Sequence, residues 1–182
     1  MKNFCLVIII IFFFTKLNAS TKEELIINLK NLNNLTFDFE QNVNGKVENG
    51  NCVLEYPKKI FCKYNLRNEK ILVSNGSSLV IKTLTSYYLY PLEKTPLNLI
   101  LNKEFLLDKI TDLNERIVED KFINFKFFEN ENEINLYFDK NNYNLIGWQT
   151  TDIYQNLSIT YLSNIIKNQN LKKNMFNLPK QN

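Results

Sequence analysis

Residues 50–101 read GNCVLEYPKKIFCKYNLRNEKILVSNGSSLVIKTLTSYYLYPLEKTPLNLIL. Apolar residues recur here at every second position: Cys52, Leu54 and Tyr56, then Ile60, Cys62 and Tyr64 after the break at Pro57-Lys58-Lys59. Period two is the pattern of strands that bury one face. Ile71 to Ser74 and Leu79 to Lys82 flank Asn75-Gly76-Ser77. Asn-Gly is the strongest short hairpin signal, because both residues tolerate positive φ. Tyr87 to Tyr90 reads as a further strand, and Pro91 and Pro96 then interrupt the sheet. In Thr95-Pro96-Leu97-Asn98-Leu99-Ile100-Leu101, Thr95 is placed to cap and Pro96 fits the first helical position. The helix is too apolar to stand exposed. Strand pairs with an apolar face, and a short apolar helix to cover it, point to carrying something apolar rather than reacting with it.

The elements on either side extend this reading. Thr21 and Glu24 form a capping box, and Leu25, Leu29 and Leu32 continue at helical spacing, which predicts a helix over about 21–33. Leu35, Phe37 and Phe39 alternate with Thr36, Asp38 and Glu40, a half-buried strand. Gly45 and Gly50 flank the expected turn into the Cys52 strand. Strands are expected again near 115–120, 122–128, 133–139, 144–152 and 157–163, and the tail Met175-Phe176-Asn177-Leu178-Pro179 is expected along a sheet edge. The chain is mainly β (α+β). Some ten or eleven antiparallel strands must curl or stack to bury one face, with the helices covering the inside.

Lys2, the apolar run Leu6–Phe14 and Ala19 read as a cleavable signal peptide over residues 1–19. The run is shorter than the roughly 20 apolar residues that cross a bilayer. Cys5 lies at the front of that run, where it makes a poor acylation site. Residues 20–182 suit one domain. Of 22 basic residues, Lys2 and Lys16 leave with the leader, so 20 face 19 acidic ones. That balance, with no basic block, argues against nucleic acid as a partner.

The chain contains no histidine, which excludes a Ser-His-Asp triad, a Cys-His pair and imidazole metal sites. Its four glycines do not cluster, so no phosphate-cradling loop exists. Glu129, Glu131 and Glu133, with Asp120, read as a solvated hairpin, and Asp108 and Asp112 as helix or loop surface. Cys52 and Cys62 lie on adjacent strands with an even spacing of ten, on one face. Two readings stay open for them: a disulfide in an oxidising compartment, or two buried thiols.

The order of these segments resembles the periplasmic lipoprotein carrier family LolA, in the form seen in alphaproteobacteria. The likeness runs through Phe39-Glu40-Gln41, Gly50 with Leu54-Glu55-Tyr56-Pro57, Ile60-Phe61 and Val73-Ser74-Asn75-Gly76. It continues through Tyr90-Pro91-Leu92, Thr95-Pro96-Leu97, Gly147-Trp148 and Thr151-Asp152. The resemblance implies an unclosed, strongly curved antiparallel barrel with a helical lid over an apolar cavity. It implies a periplasmic, monomeric, non-enzymatic carrier that needs no cofactor or metal. Such a carrier receives acylated lipoproteins from an inner-membrane ABC transporter and passes them to an outer-membrane receptor where one exists.

On that reading Leu54, Tyr56, Ile60, Tyr64, Phe138 and Trp148 line the sheet side, and Pro96, Leu97, Leu99 and Ile100 form the lid. The family usually has Arg at the position of Tyr56, where it latches the lid; here Tyr56, or Lys58 or Lys59, would have to serve. Two alternatives remain. One is a lipid- or glycolipid-binding or sensing module of the same fold, or an anchored receptor, which would want a lipidation cysteine beside Ala19. The other is a small periplasmic enzyme, which would need convergent polar groups in the pocket.

Overall fold

The computed structural model describes residues 20–129, 131–151 and 156–181. The leader and Asp152 lie outside the described residues. The chain opens with helix α1, Thr21–Lys30. Its capping box is Ser20 with Glu23, one residue earlier than Thr21 with Glu24: the Glu23 N–H donates to Ser20 Oγ, and the Ser20 N–H to the Glu23 carboxylate. Both pairs fit the motif. Ser20 takes the extended backbone that an N-cap requires, so it starts the helix. The helix stops at the Asn31 cap, three residues short of expectation, though Leu32 is still buried.

Eleven strands follow among the described residues. They are β1 (Asn34–Val43), β2 (Lys46–Glu55), β3 (Lys59–Tyr64), β4 (Ile71–Asn75), β5 (Ser78–Lys82) and β6 (Tyr87–Pro91), then β7 (Arg116–Val118), β8 (Phe122–Glu129), β9 (Asn132–Asp139), β10 (Leu145–Thr151) and β11 (Leu157–Lys167). They make one antiparallel sheet in the order β6-β5-β4-β3-β2-β1-β11-β10-β9-β8-β7. The first and last strands meet in the middle, and β6 and β7 are left as unpaired edges, so the curled sheet does not close. β7 is shorter than expected because Glu119 and Asp120 leave the extended region, with φ of 52° and 55°.

Gly45, with Asn44, makes the β1–β2 turn, whereas Gly50 lies within β2 rather than flanking that turn. A Cβ at Gly50 would stand 2.1 Å from the Lys63 carbonyl oxygen and 2.9 Å from the Phe39 ring. Glycine there lets three strands approach closely.

Between β6 and β7 run a 3-10 turn (Leu92–Lys94), helix α2 (Leu97–Ile100) and helix α3 (Lys103–Asp112). Thr95 does not cap α2. Its hydroxyl donates back to the Leu92 carbonyl, and Pro96 occupies the position before the first helical residue. α1 and α3 pack together on the concave side and cap one another's C-terminal ends. Lys22 donates to the carbonyls of Thr111 and Leu113, and Lys103 to those of Lys30 and Leu32. Leu25, Leu29, Leu106 and Ile110 thereby enter one core with Phe125, Phe138 and Leu136 from the sheet.

The C-terminal tail departs from expectation. It does not follow an edge but crosses the convex face, leaving β1 through paired bonds between Asn34 and Gln169. Further along, the Lys59 ammonium lies 5.8 Å from the Phe176 ring centre, and Lys82 donates to the Lys180 carbonyl. Val73 and Val80, opposed on the convex side of β4 and β5 between those two anchors, are buried although they lie outside the main core. The tail, anchored at Lys59 and Lys82 on either side of them, passes over this part of the face.

Candidate functional site

Alternation along the strands turns one set of side chains to the concave face. Cross-strand register aligns Phe37 with Cys52, Cys52 with Cys62, Cys62 with Leu72, and Leu72 with Ile81. Over this row and its neighbours lies a cavity of about 340 Å³, partly open at one side. Phe37, Phe39, Ile60, Leu72, Leu79 and Ile81 supply its apolar wall. Thr95, Pro96, Leu97 and Ile100 close it from the helical side. The volume stands near the lower bound of the roughly 300–1,000 Å³ typical of small-molecule pockets.

Cys52 and Cys62 form a disulfide across β2 and β3, and both cysteines line the cavity. Phe39 and Tyr64 meet edge to face at 4.9 Å between ring centres over the space left by Gly50. Burial, with the Glu48 charge nearby, pushes the Tyr64 phenol upward, so it stays protonated and can donate. Beyond β5, Tyr88 and Tyr90 continue the same face, opposite Ile81 and Leu79, and stack on each other at 6.5 Å while remaining half-exposed. The apolar wall therefore runs out to the free edge of the sheet.

Of the residues singled out from the sequence, Ile60, Tyr64, Trp148, Pro96, Leu97 and Ile100 are placed on the cavity surface. Leu54, Tyr56, Phe138 and Leu99 are placed in the solid core beside it, with Phe138 edge to face against Phe125. Sequence reasoning passed over Phe37, Phe39, Gln41, Leu72, Leu79 and Ile81 as lining residues. The signal for them was present: Phe37, Phe39 and Gln41 continue the alternation that starts at Leu35, and Leu79, Leu72 and Ile81 align through β4 and β5 with Ile60 and Cys62. What parity alone could not say is which end of each strand the helices fill.

The helical segment over the cavity is tied down by main chain. The Lys58 N–H donates to the Leu101 carbonyl at 2.8 Å, and Leu92 N–H to the Ser77 carbonyl at 2.9 Å. Ser74, fully buried, fixes the Lys58 loop by donating its hydroxyl to the Lys58 carbonyl. Among the described residues the buried Tyr56 hydroxyl has no hydrogen-bond partner, and burial pushes its ionisation upward. Lys59 is turned to the convex face, paired with Glu55. The contact between this loop and the end of α2 is thus made by backbone, not by a side chain at position 56 or 59.

The profile of the family described as "Outer membrane lipoprotein carrier protein LolA" matches residues 30–179. No curated protein sequence matches the chain. Among solved structures, a chain of the Pseudomonas aeruginosa MucA/MucB complex superposes with a TM-score of 0.50 at 10% identity, over 88% of this chain and 62% of that one. A LolA superfamily protein from Nitrosomonas europaea gives 0.48 at 8% identity, over 88% and 99% of the two chains. The Mycobacterium tuberculosis lipoprotein LppX gives 0.45 at 10% identity, over 84% and 97%. At 10% identity the first of these likenesses speaks for the fold alone.

Proposed function

Because the chain belongs to the LolA family of outer membrane lipoprotein carrier proteins, we propose that it is a periplasmic carrier rather than an enzyme. It takes the acyl chains of lipoproteins into the lidded cavity and ferries them from the inner to the outer membrane. Residues 1–19 act as the export signal and residues 20–182 as the carrier. An inner-membrane ABC transporter loads it, and an outer-membrane receptor, where one exists, unloads it. The observation that carries this reading is the cavity itself, apolar on both sides and covered by a short helix held through a few backbone hydrogen bonds.

The energetics suit carriage. Each buried methylene is worth about 0.8 kcal/mol, so ten would contribute about 8 kcal/mol. A cavity of about 340 Å³ takes only part of a lipoprotein's acyl groups, so loading requires α2 to lift. Lifting breaks the lid's own contacts, and the net affinity shrinks to a value that permits release. Leu97, half-buried on the cavity side of the lid, is the residue to test. Leu97→Glu places a carboxylate where an acyl chain must lie, a cost of several kcal/mol to the loaded state. The expected result is a folded protein that no longer releases acylated lipoprotein from spheroplasts. Undiminished release by a folded variant would count against the reading.

A further inference from the structure

We propose that one end of the cavity floor is a headgroup subsite, in which Gln41, Ser158, Thr160 and Thr150 take the uncharged ester or amide groups of a bound acyl ligand; this rests on the acyl-binding reading above. The register sets these four side by side. Gln41 faces Thr160, and Thr160 faces Trp148; Val43 faces Ser158, and Ser158 faces Thr150. All of them line the cavity. Thr150 and Thr160 are buried in the sheet's concave face, and across β10 the fully buried Ile134 faces Thr150 and the fully buried Leu136 faces Trp148, the partner of Thr160. A valine would fill either place equally well, so the hydroxyls need a reason to be there.

Their hydrogen bonding is incomplete. The Gln41 amide nitrogen donates to Ser158 Oγ at 3.3 Å and Thr160 Oγ1 at 3.4 Å, and the Tyr64 hydroxyl donates to Gln41 Oε1 at 3.5 Å. These contacts lie beyond the usual range of about 2.7–3.2 Å. The hydroxyls of Ser158 and Thr160 serve only as acceptors in them, so each still has an O–H to give. A row of unspent O–H donors at the floor of an apolar cavity matches carbonyl oxygens.

The charge arrangement selects among such ligands. Lys70 also lines the cavity, but its ammonium is engaged by Glu48 and lies 4.0 Å from the Tyr64 ring centre. Glu48 holds Lys46 as well. The four floor residues are themselves neutral, which favours ester or amide over phosphate. At the other end, Ile60, Leu72, Leu79 and Ile81 face Leu97 and Ile100 of the lid. The ligand therefore has a direction: head at Gln41, chains toward β3–β5 and α2.

Trp148 is the only tryptophan of the chain and stands in the row of Gln41 and Thr160, so its fluorescence reports that direction. The test titrates the full exported chain with monoacylglycerols brominated either near the glycerol ester or near the methyl end. Head-proximal bromine should quench Trp148 more strongly. Replacing Gln41→Leu and Thr160→Val together should weaken the glycerol ester about tenfold or more, while a bromoalkane of the same length binds unchanged. Stronger quenching from the methyl end would overturn the subsite but leave acyl binding standing. Tighter binding of a phosphate-headed probe than of the glycerol ester would do the same. Absence of binding by every probe would overturn both. If the double variant does not fold, the wild-type quenching order decides.

Discussion

Tyr56 occupies the position where the family resemblance implies a latching arginine, and its buried hydroxyl has no partner among the described residues. A buried hydroxyl that makes no hydrogen bond costs free energy, whereas the phenyl ring it sits on contributes by burial. Tyr56→Phe should therefore leave stability unchanged or raise it by up to about 1 kcal/mol in urea unfolding. A loss larger than that would mean that the hydroxyl holds the lid after all. Glu48 presents the opposite case, a carboxylate at 8% exposure between Lys46 and Lys70. Burial alone would raise its pKa, but the hydrogen bonds and charges of the two lysines outweigh this and hold it below the ordinary carboxylate value. A folded-state pKa below the unfolded one contributes stability that is complete above about pH 4.5 and is lost as pH falls through the folded value. Glu48→Gln should cost on the order of 3 kcal/mol at pH 7, because Lys70 is left without its partner. The gap to the wild-type chain should narrow in unfolding curves taken at successively lower pH. A gap that persists into acid would contradict the assigned role.

At the scale of elements, the strands were legible because alternation and turn chemistry agree. The Asn75-Gly76 hairpin, the Cys52 and Cys62 arms and the β8–β9 pair all lie where period two puts them. The ends of elements were less legible. Ser20 and Thr21 both satisfy the capping pattern, and only backbone geometry selects one. Gly50 looks like a turn residue in a linear sequence, while its reason is the Phe39 ring and the Lys63 carbonyl packed against it from two other strands. The tail was misplaced for a related reason, since its partners Lys59 and Lys82 are more than 90 residues away. Its role is open to a direct check. Truncation after Asn170 should expose Val73 and Val80 and destabilise the chain by about 3–6 kcal/mol, at roughly 1.5–3 kcal/mol for each fully buried side chain. Binding of an acyl probe at low temperature should survive it, because the tail lies on the other side of the sheet. Loss of binding by a folded truncation would show that the tail shapes the cavity.

For the whole molecule, the decisive property is that an eleven-stranded sheet curls without closing. A closed barrel of this size would fill or seal its interior, whereas this sheet leaves one wall to be made by helices. α1 and α3 fill one half of the concavity as ordinary core, and α2 covers the other half without filling it. The cavity lies where packing is deliberately incomplete, which explains why half of the sequence-chosen lining residues stand in the cavity and the others in the adjoining core. Carriage follows if that space accepts acyl chains and does so only for an acylated partner. Native mass spectrometry of the exported chain with a diacylated lipopeptide and its unacylated counterpart tests this most directly. The expected result is a one-to-one complex with the lipopeptide and none with the bare peptide. Equal binding of the two, or no complex with either, would contradict it.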